Sequence, residues 1–229
     1  VQKNNGFLVY AGGDDVLALL PLEDALNCAL ALQSAYMEVF AVRKVSDTDK
    51  DGNRTYSISA AVIYAHMKLP LTLVLKDSHR LLDDVAKEAT GRDAIAVRVW
   101  KPGGAQLTWA MKWGDRGTNV TVLNKLVSEF QSAEEGEPGH ASKPLFRIRE
   151  RLEMLKGAKG AVGFGEAIVK KLLVAEYATS GVLSKEEQKQ KIAENRIGAL
   201  LPHCKNPDDS YGAEAAMLLR FLAQKGVER

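Results

Sequence analysis

The chain has 229 residues, is 46% hydrophobic and carries 31 Lys and Arg against 29 Asp and Glu, a formal net charge of +2. That length and composition suit one large globular domain or two modest ones with a real core. The near balance of charge excludes a global electrostatic pull toward nucleic acid or membrane, so any such binding has to be local. The chain opens on VQKNNG, without Met and without a signal-peptide pattern, and no apolar run of membrane-spanning length is read from it. A piece of a longer protein and no membrane partner are therefore expected.

Residues 7–11 and 16–20 are short apolar runs separated by Gly12-Gly13-Asp14-Asp15, which predicts a hairpin with its turn at 12–15. After Pro21 the apolar positions 22, 25, 26, 29, 30, 32, 36, 37 and 40 form a helical stripe, with Glu23 and Asp24 suited to a helix start. Cys28 falls in this stripe and Cys204 in a turn-like stretch; neither a disulfide framework nor metal-ligand spacing results, and a reducing, cytoplasmic setting fits. Residues 56–65 read as a strand, 72–89 as a second helix, 94–100 as a strand, and 105–113 as its return after a turn at KPGG. The expected class is α+β, with helices on one face of an antiparallel sheet. From 118 onward helical patterns at 119–131, 144–156, 165–179, 184–201 and 211–224 predict a second, mostly helical domain. The predicted domains are 1–117 and 118–229, with a mobile loop at 133–143.

Two ionised carboxylates a few ångströms apart repel by roughly 4 kcal/mol at an effective dielectric near 20. A divalent cation offsets that repulsion, and hard Mg²⁺ or Mn²⁺ selects carboxylate oxygen. Glycines just before the pair leave room for a phosphate to approach the backbone and permit positive φ. The combination suggests metal-assisted chemistry on a nucleotide. The same four residues also suit an ordinary hairpin turn.

The order strand, GGDD, strand, helix, strand, helix, strand resembles a polymerase or nucleotide-cyclase palm. The stretches GFLVYAGGDDVLALLPLEDAL (6–26), SISAAVIYAHMKLPL (57–71), LLDDVAKEA (81–89) and AIAVRVWKPGG (94–104) resemble the large subunit of type III CRISPR effector complexes, in its Cmr (type III-B) form. Diguanylate cyclases also carry a Gly-Gly-acidic hairpin, but Val16 follows Asp15 here where their pattern has Glu-Phe after the first acid. The resemblance covers about the first half of the chain; AEAAMLLRFLAQK (213–225) extends it weakly into the helical part.

The resemblance implies a ferredoxin-like palm followed by an α-helical domain, and an RNA-guided antiviral complex that makes cyclic oligoadenylates from ATP. It implies Asp14 and Asp15 as catalytic and metal-holding, with Gly12 and Gly13 letting the nucleotide lie against the hairpin. Lys87 then stands near the phosphates, Ser59 donates to the nucleotide and His66 contacts a base. Each of the last three has a plainer role open to it: a solvated helix lysine, a satisfied strand serine, a histidine packed at a strand end. The implied partners are other protein subunits, guide RNA, target RNA and ATP, in the cytoplasm. The palm's first strand and helices, which carry a further metal-binding carboxylate, do not precede the hairpin in these residues. Half an active site is expected, and a catalytically silent scaffold module or a diguanylate-cyclase-like palm are the alternatives.

Other stretches read more simply. DTDKDG (47–52) matches the start of an EF-hand loop, but Ile58 would stand at position 12 and a strand follows, so it reads as a solvated loop. GAKGAVGFG (157–165) lacks the phosphate-loop Lys and reads as a helix connection. Lys and Arg at 143, 147, 149, 151, 156, 159, 170 and 171 exceed Glu150, Glu153 and Glu166, a local excess suited to an RNA backbone or to a solvated helix face. His140, His203 and Cys204 are too scattered for zinc. Trp109 and Trp113 would share a face of the last strand, with core packing as their default role.

Overall fold

The computed structural model describes residues 1–43, 56–101, 106–134, 142–155, 165–180, 186–206 and 209–225. The 47–52 loop, residues 135–141 of the expected loop at 133–143, residues 157–164, His140, Lys156, Lys159 and the turn at 102–104 lie outside these. The chain divides into two compact units, Val1–Thr121 and Val122–Arg229.

The first unit begins with β1 (Phe7–Gly12) and β2 (Asp15–Leu19), paired antiparallel with a bulge between Leu8 and Tyr10. Helix α1 (Ala25–Val42) follows a 3-10 turn at Leu22–Asp24. Next come β3 (Ala60–Ala65), α2 (Leu71–Arg80), a π-helical continuation Leu81–Ala89, β4 (Ala94–Trp100) and β5 (Gln106–Lys112). Residues 56–59 of the expected strand are not part of β3, although Tyr56 is buried and stacks on Phe40 of α1 with ring centroids 4.3 Å apart.

The sheet departs from the expected antiparallel one. β3 pairs parallel with β4, and β4 antiparallel with β5, giving the order β3-β4-β5. A parallel pair needs a long crossover, and α2 with its π-helical extension supplies it. The hairpin is a separate two-stranded sheet, so the strands form two sheets instead of one. β4 is covered on both faces: Ala94, Ile95, Ala96, Val97 and Val99 are all buried, which is why it reads as an unbroken apolar run. Ala94 and Ala96 pack with Leu81 and Ala86 of the crossover, and Ala61, Ile63, Leu82, Val85 and Ala110 complete that layer. Small alanines on β4 let the crossover approach closely.

Arg98 lies on the same face by strand alternation and pairs with Asp77 of α2, while its Nε donates to Thr108 Oγ1 at 2.9 Å. Trp109 and Trp113 are buried, and Trp113 Nε1 donates to Ile58 O at 2.8 Å, tying the end of β5 to the segment before β3. Both rings are core residues and out of reach of a stacking base.

Among the described residues, the 21-residue segment Leu22–Val42 holds an 18-residue stretch of mean hydropathy 1.3, by length and composition alone long and apolar enough to cross a membrane. The sequence reading finds no run of that length. α1 buries Ala25, Leu26, Cys28 and Gln33 and lies against β3, while Val39 and Val42 are exposed.

The second unit is helical, with α3 (Thr118–Glu134) running into it from the first, then α4 (Ser142–Leu155), α5 (Glu166–Ala178), α6 (Glu186–Leu200) and α7 (Glu214–Ala223). Each turns one stripe inward: Leu123, Leu126 and Phe130; Leu145, Ile148 and Leu152; Val169, Leu173 and Tyr177; Ala193, Ile197 and Leu200; Leu218, Leu219 and Leu222. The 3.6-residue period generates all five stripes. His203 and Cys204 are buried, and burial pushes the Cys204 thiol up to about 12, so it behaves as an apolar core group.

Candidate functional site

The turn of the hairpin consists of Gly13 and Asp14, because Gly12 and Asp15 still face each other as the last strand pair. Gly13 has φ +61°, with open space where a side chain would stand. A positive φ at the first of two turn residues suits glycine and matches the right-handed twist of the flanking strands. The glycine is therefore required by the backbone, and its surroundings are also clear for a ligand.

Gly12 differs. A Cβ there would come 2.5 Å from the Tyr10 hydroxyl, so the space that the glycine leaves is filled by the phenol ring. Residues two apart on a strand share a face, which places Tyr10, Gly12 and the directly opposed Asp15 and Leu17 on one side of the hairpin. Tyr10 escaped the sequence reading, although that alternation was its available signal. Asp14 and Asp15 are both exposed, as are Phe7, Tyr10, Val16 and Leu19. Water thus screens the paired carboxylates, and their oxygens are open to a cation.

The remaining candidates are spread along the first unit. Ser59 is half-buried just before β3 and His66 is exposed just beyond its end. Strand rise separates them by about 23 Å, too far to hold one small group together. His66 Nδ1 accepts a hydrogen bond from the Lys68 amide at 3.2 Å, which stabilises the turn after β3. Lys87 lies on the π-helical segment and donates to Asp83 Oδ1 at 2.8 Å. That bond and the ammonium charge hold the Asp83 carboxyl below its usual range. Any phosphate reaching Lys87 has to compete with this partner.

Among the described residues no group of three or more His, Cys, Asp and Glu could hold a metal ion. Asp14 and Asp15 nevertheless fit part of a Mg²⁺ or Mn²⁺ shell, since magnesium is commonly held by one or two carboxylates, with substrate phosphates and water completing the octahedron.

The fold and hairpin define an α+β palm followed by a helical region. Residues 1–96 match the family model described as Cas10/Cmr2, second palm domain. The chain is also similar to the CRISPR system Cmr subunit Cmr2 of Pyrococcus furiosus, 32% identical over 115 residues, covering 49% of this chain and 12% of that protein. A second similar protein is the CRISPR system CMR subunit Cmr2 of Saccharolobus solfataricus, 32% identical over 114 residues, covering 45% of this chain and 10% of that protein. The matched part of the chain thus spans about a tenth of the length of these curated relatives. All the candidate residues fall within the matched 96.

Proposed function

We propose that this palm is the nucleotidyltransferase part of a type III-B CRISPR effector complex, joining ATP into cyclic oligoadenylates. The observation that carries the reading is the hairpin tip, where Asp14 and Asp15 are exposed together beside an unobstructed Gly13. In such a reaction a ribose 3′-hydroxyl attacks the α-phosphorus of ATP, a new P–O bond forms, and pyrophosphate departs. A bound Mg²⁺ or Mn²⁺ supplies charge stabilisation for the attacking and leaving oxygens. Asp14 and Asp15 offer the oxygens that would hold it. Gly13 leaves the backbone approachable, and Lys87, released from Asp83, offers a cation to the phosphates. Other protein subunits of the complex, guide RNA and target RNA are the proposed partners.

A scaffold role is the second reading, favoured by the lack of a third acidic or imidazole group beside the pair among the described residues. The deciding experiment uses the intact parent protein in its RNA-guided complex with cognate target RNA, ATP and Mg²⁺ or Mn²⁺. Wild type is compared with Asp14→Ala/Asp15→Ala, and products are identified by mass spectrometry. Cyclic oligoadenylates that disappear in the variant, and in wild type after chelation of the metal, support synthesis at the hairpin. A complex that assembles and holds RNA, yet makes no product in either form, leaves the scaffold.

A further inference from the structure

Tyr10 stands outside the chemistry assigned to the hairpin so far, yet its ring leans toward the tip. The hydroxyl lies 2.5 Å, and Cζ 2.8 Å, from the point where a Gly12 Cβ would stand. Gly12 and Asp15 are directly opposed, and the Cβ positions of such a pair lie about 5 Å apart on one face of the ladder. The phenol hydroxyl and the Asp15 carboxylate therefore flank the same side of the tip, close enough for one nucleotide to reach both. Gly12, unlike Gly13, has no positive φ that would require glycine. What demands the missing Cβ at Gly12 is the phenol.

The side chains from Phe7 to Leu19 are otherwise absent, apolar or acidic, so Tyr10 carries the hairpin's one side-chain hydrogen-bond donor. Carboxylates and phosphate oxygens both accept, and Asp14 and Asp15 cannot bond a phosphate directly. A neutral hydroxyl beside them can, without adding to the negative charge. Tyr10 is 55% exposed, and among the described residues its hydroxyl has no hydrogen-bond partner. Packing against the opposed Leu17 uses only the ring, and leaves the polar end without a role in the fold.

We infer that Tyr10 is a substrate-binding residue of the hairpin site, its hydroxyl donating to a phosphate oxygen of the nucleoside triphosphate, and that Gly12 is glycine to seat the ring. The inference rests on the nucleotidyltransferase reading and adds to it a contact and a reason for Gly12. A bond to phosphate is present before and during transfer, so it contributes to binding in the ground state and the transition state alike.

The test uses the intact parent protein in its RNA-guided complex with target RNA. Calorimetric titration with Mg²⁺ and α,β-methylene-ATP measures binding without turnover, and product formation from ATP gives KM and kcat. Tyr10→Phe keeps the ring and removes only the donor. It is expected to weaken analogue binding and to raise KM by about tenfold, with kcat nearly unchanged. Gly12→Ala displaces the ring and is expected to cause a similar loss alone, but no further loss in a Tyr10→Ala background, where the space is vacant. Analogue binding and KM equal to wild type in Tyr10→Phe overturn the inference, as does a wild-type complex that does not bind the analogue. An undiminished loss from Gly12→Ala in the Tyr10→Ala background also overturns it, and returns the space over Gly12 to the nucleotide itself. The two readings fail separately. Product that is lost in Asp14→Ala/Asp15→Ala but made with wild-type KM by Tyr10→Phe removes Tyr10 and keeps the synthetase. Analogue binding that depends on Tyr10, without any product, removes the synthetase and keeps the contact.

Discussion

Removing Arg98 tests how the palm's crossover is fastened to its sheet. The Arg98 and Asp77 side chains are only 15% and 12% exposed, and Asp77 Oδ2 is buried without a hydrogen bond. Arg98→Ala removes the ion pair and the 2.9 Å bond to Thr108, leaving the carboxylate buried without its countercharge. Breaking one partner of a buried pair costs about 3–5 kcal/mol, while replacing both with apolar groups of similar volume is often neutral or stabilising. For a chain of this size about 3 kcal/mol corresponds to a fall of roughly 10 °C in Tm. All three tryptophans lie in the first unit, so intrinsic fluorescence follows that unit's melting even though the chain has two. Arg98→Ala and Asp77→Ala are each expected to show this loss, and Arg98→Met/Asp77→Leu to recover most of it. Single variants that shift Tm by less than about 3 °C, or a double variant worse than either single, would refute the reasoning, because the charges would then be effectively solvated.

Two further outcomes are expected. Burial lowers the His203 pKa from 6.5 to about 4, so the unfolded chain takes up its proton first as the medium is acidified. The stability associated with this residue is full above pH 6.5 and falls between 6.5 and about 4, by an order of 3 kcal/mol in all. Urea midpoints read by far-ultraviolet circular dichroism in His203→Leu should fall less steeply over that window than in wild type, and parallel slopes would contradict the assignment. At the hairpin, Gly13→Val places a branched side chain at φ +61° and is expected to speed amide exchange of the Ala11–Val16 ladder by about tenfold, whereas Gly13→Asn changes it little. Unaltered protection in Gly13→Val would mean that the turn relaxes to another geometry without cost.

Local pattern determined much of this protein. The two apolar runs and the turn-forming residues Gly12–Asp15 between them specify a hairpin, and the 3.6-residue stripes specify the helices α3 to α7 within a few residues of their ends. Those signals arise from neighbours in the chain, which is why they are legible without tertiary information. Strand pairing was not. The alanines and valines of β4 announce burial on both faces, but only the long crossover through Leu71–Ala89, packed on Ala94 and Ala96, makes β3 and β4 parallel. The site followed the same division. Glycine and carboxylate chemistry at 12–15 stands in consecutive residues. The Tyr10 ring over Gly12, the Lys87 bond to Asp83 and the separation of Ser59 from His66 depend on backbone geometry. In the helical unit, the meeting of Arg220 of α7 with the 143, 146, 147, 150 face of α4 likewise depends on helix packing across about seventy intervening residues, which no local pattern encodes.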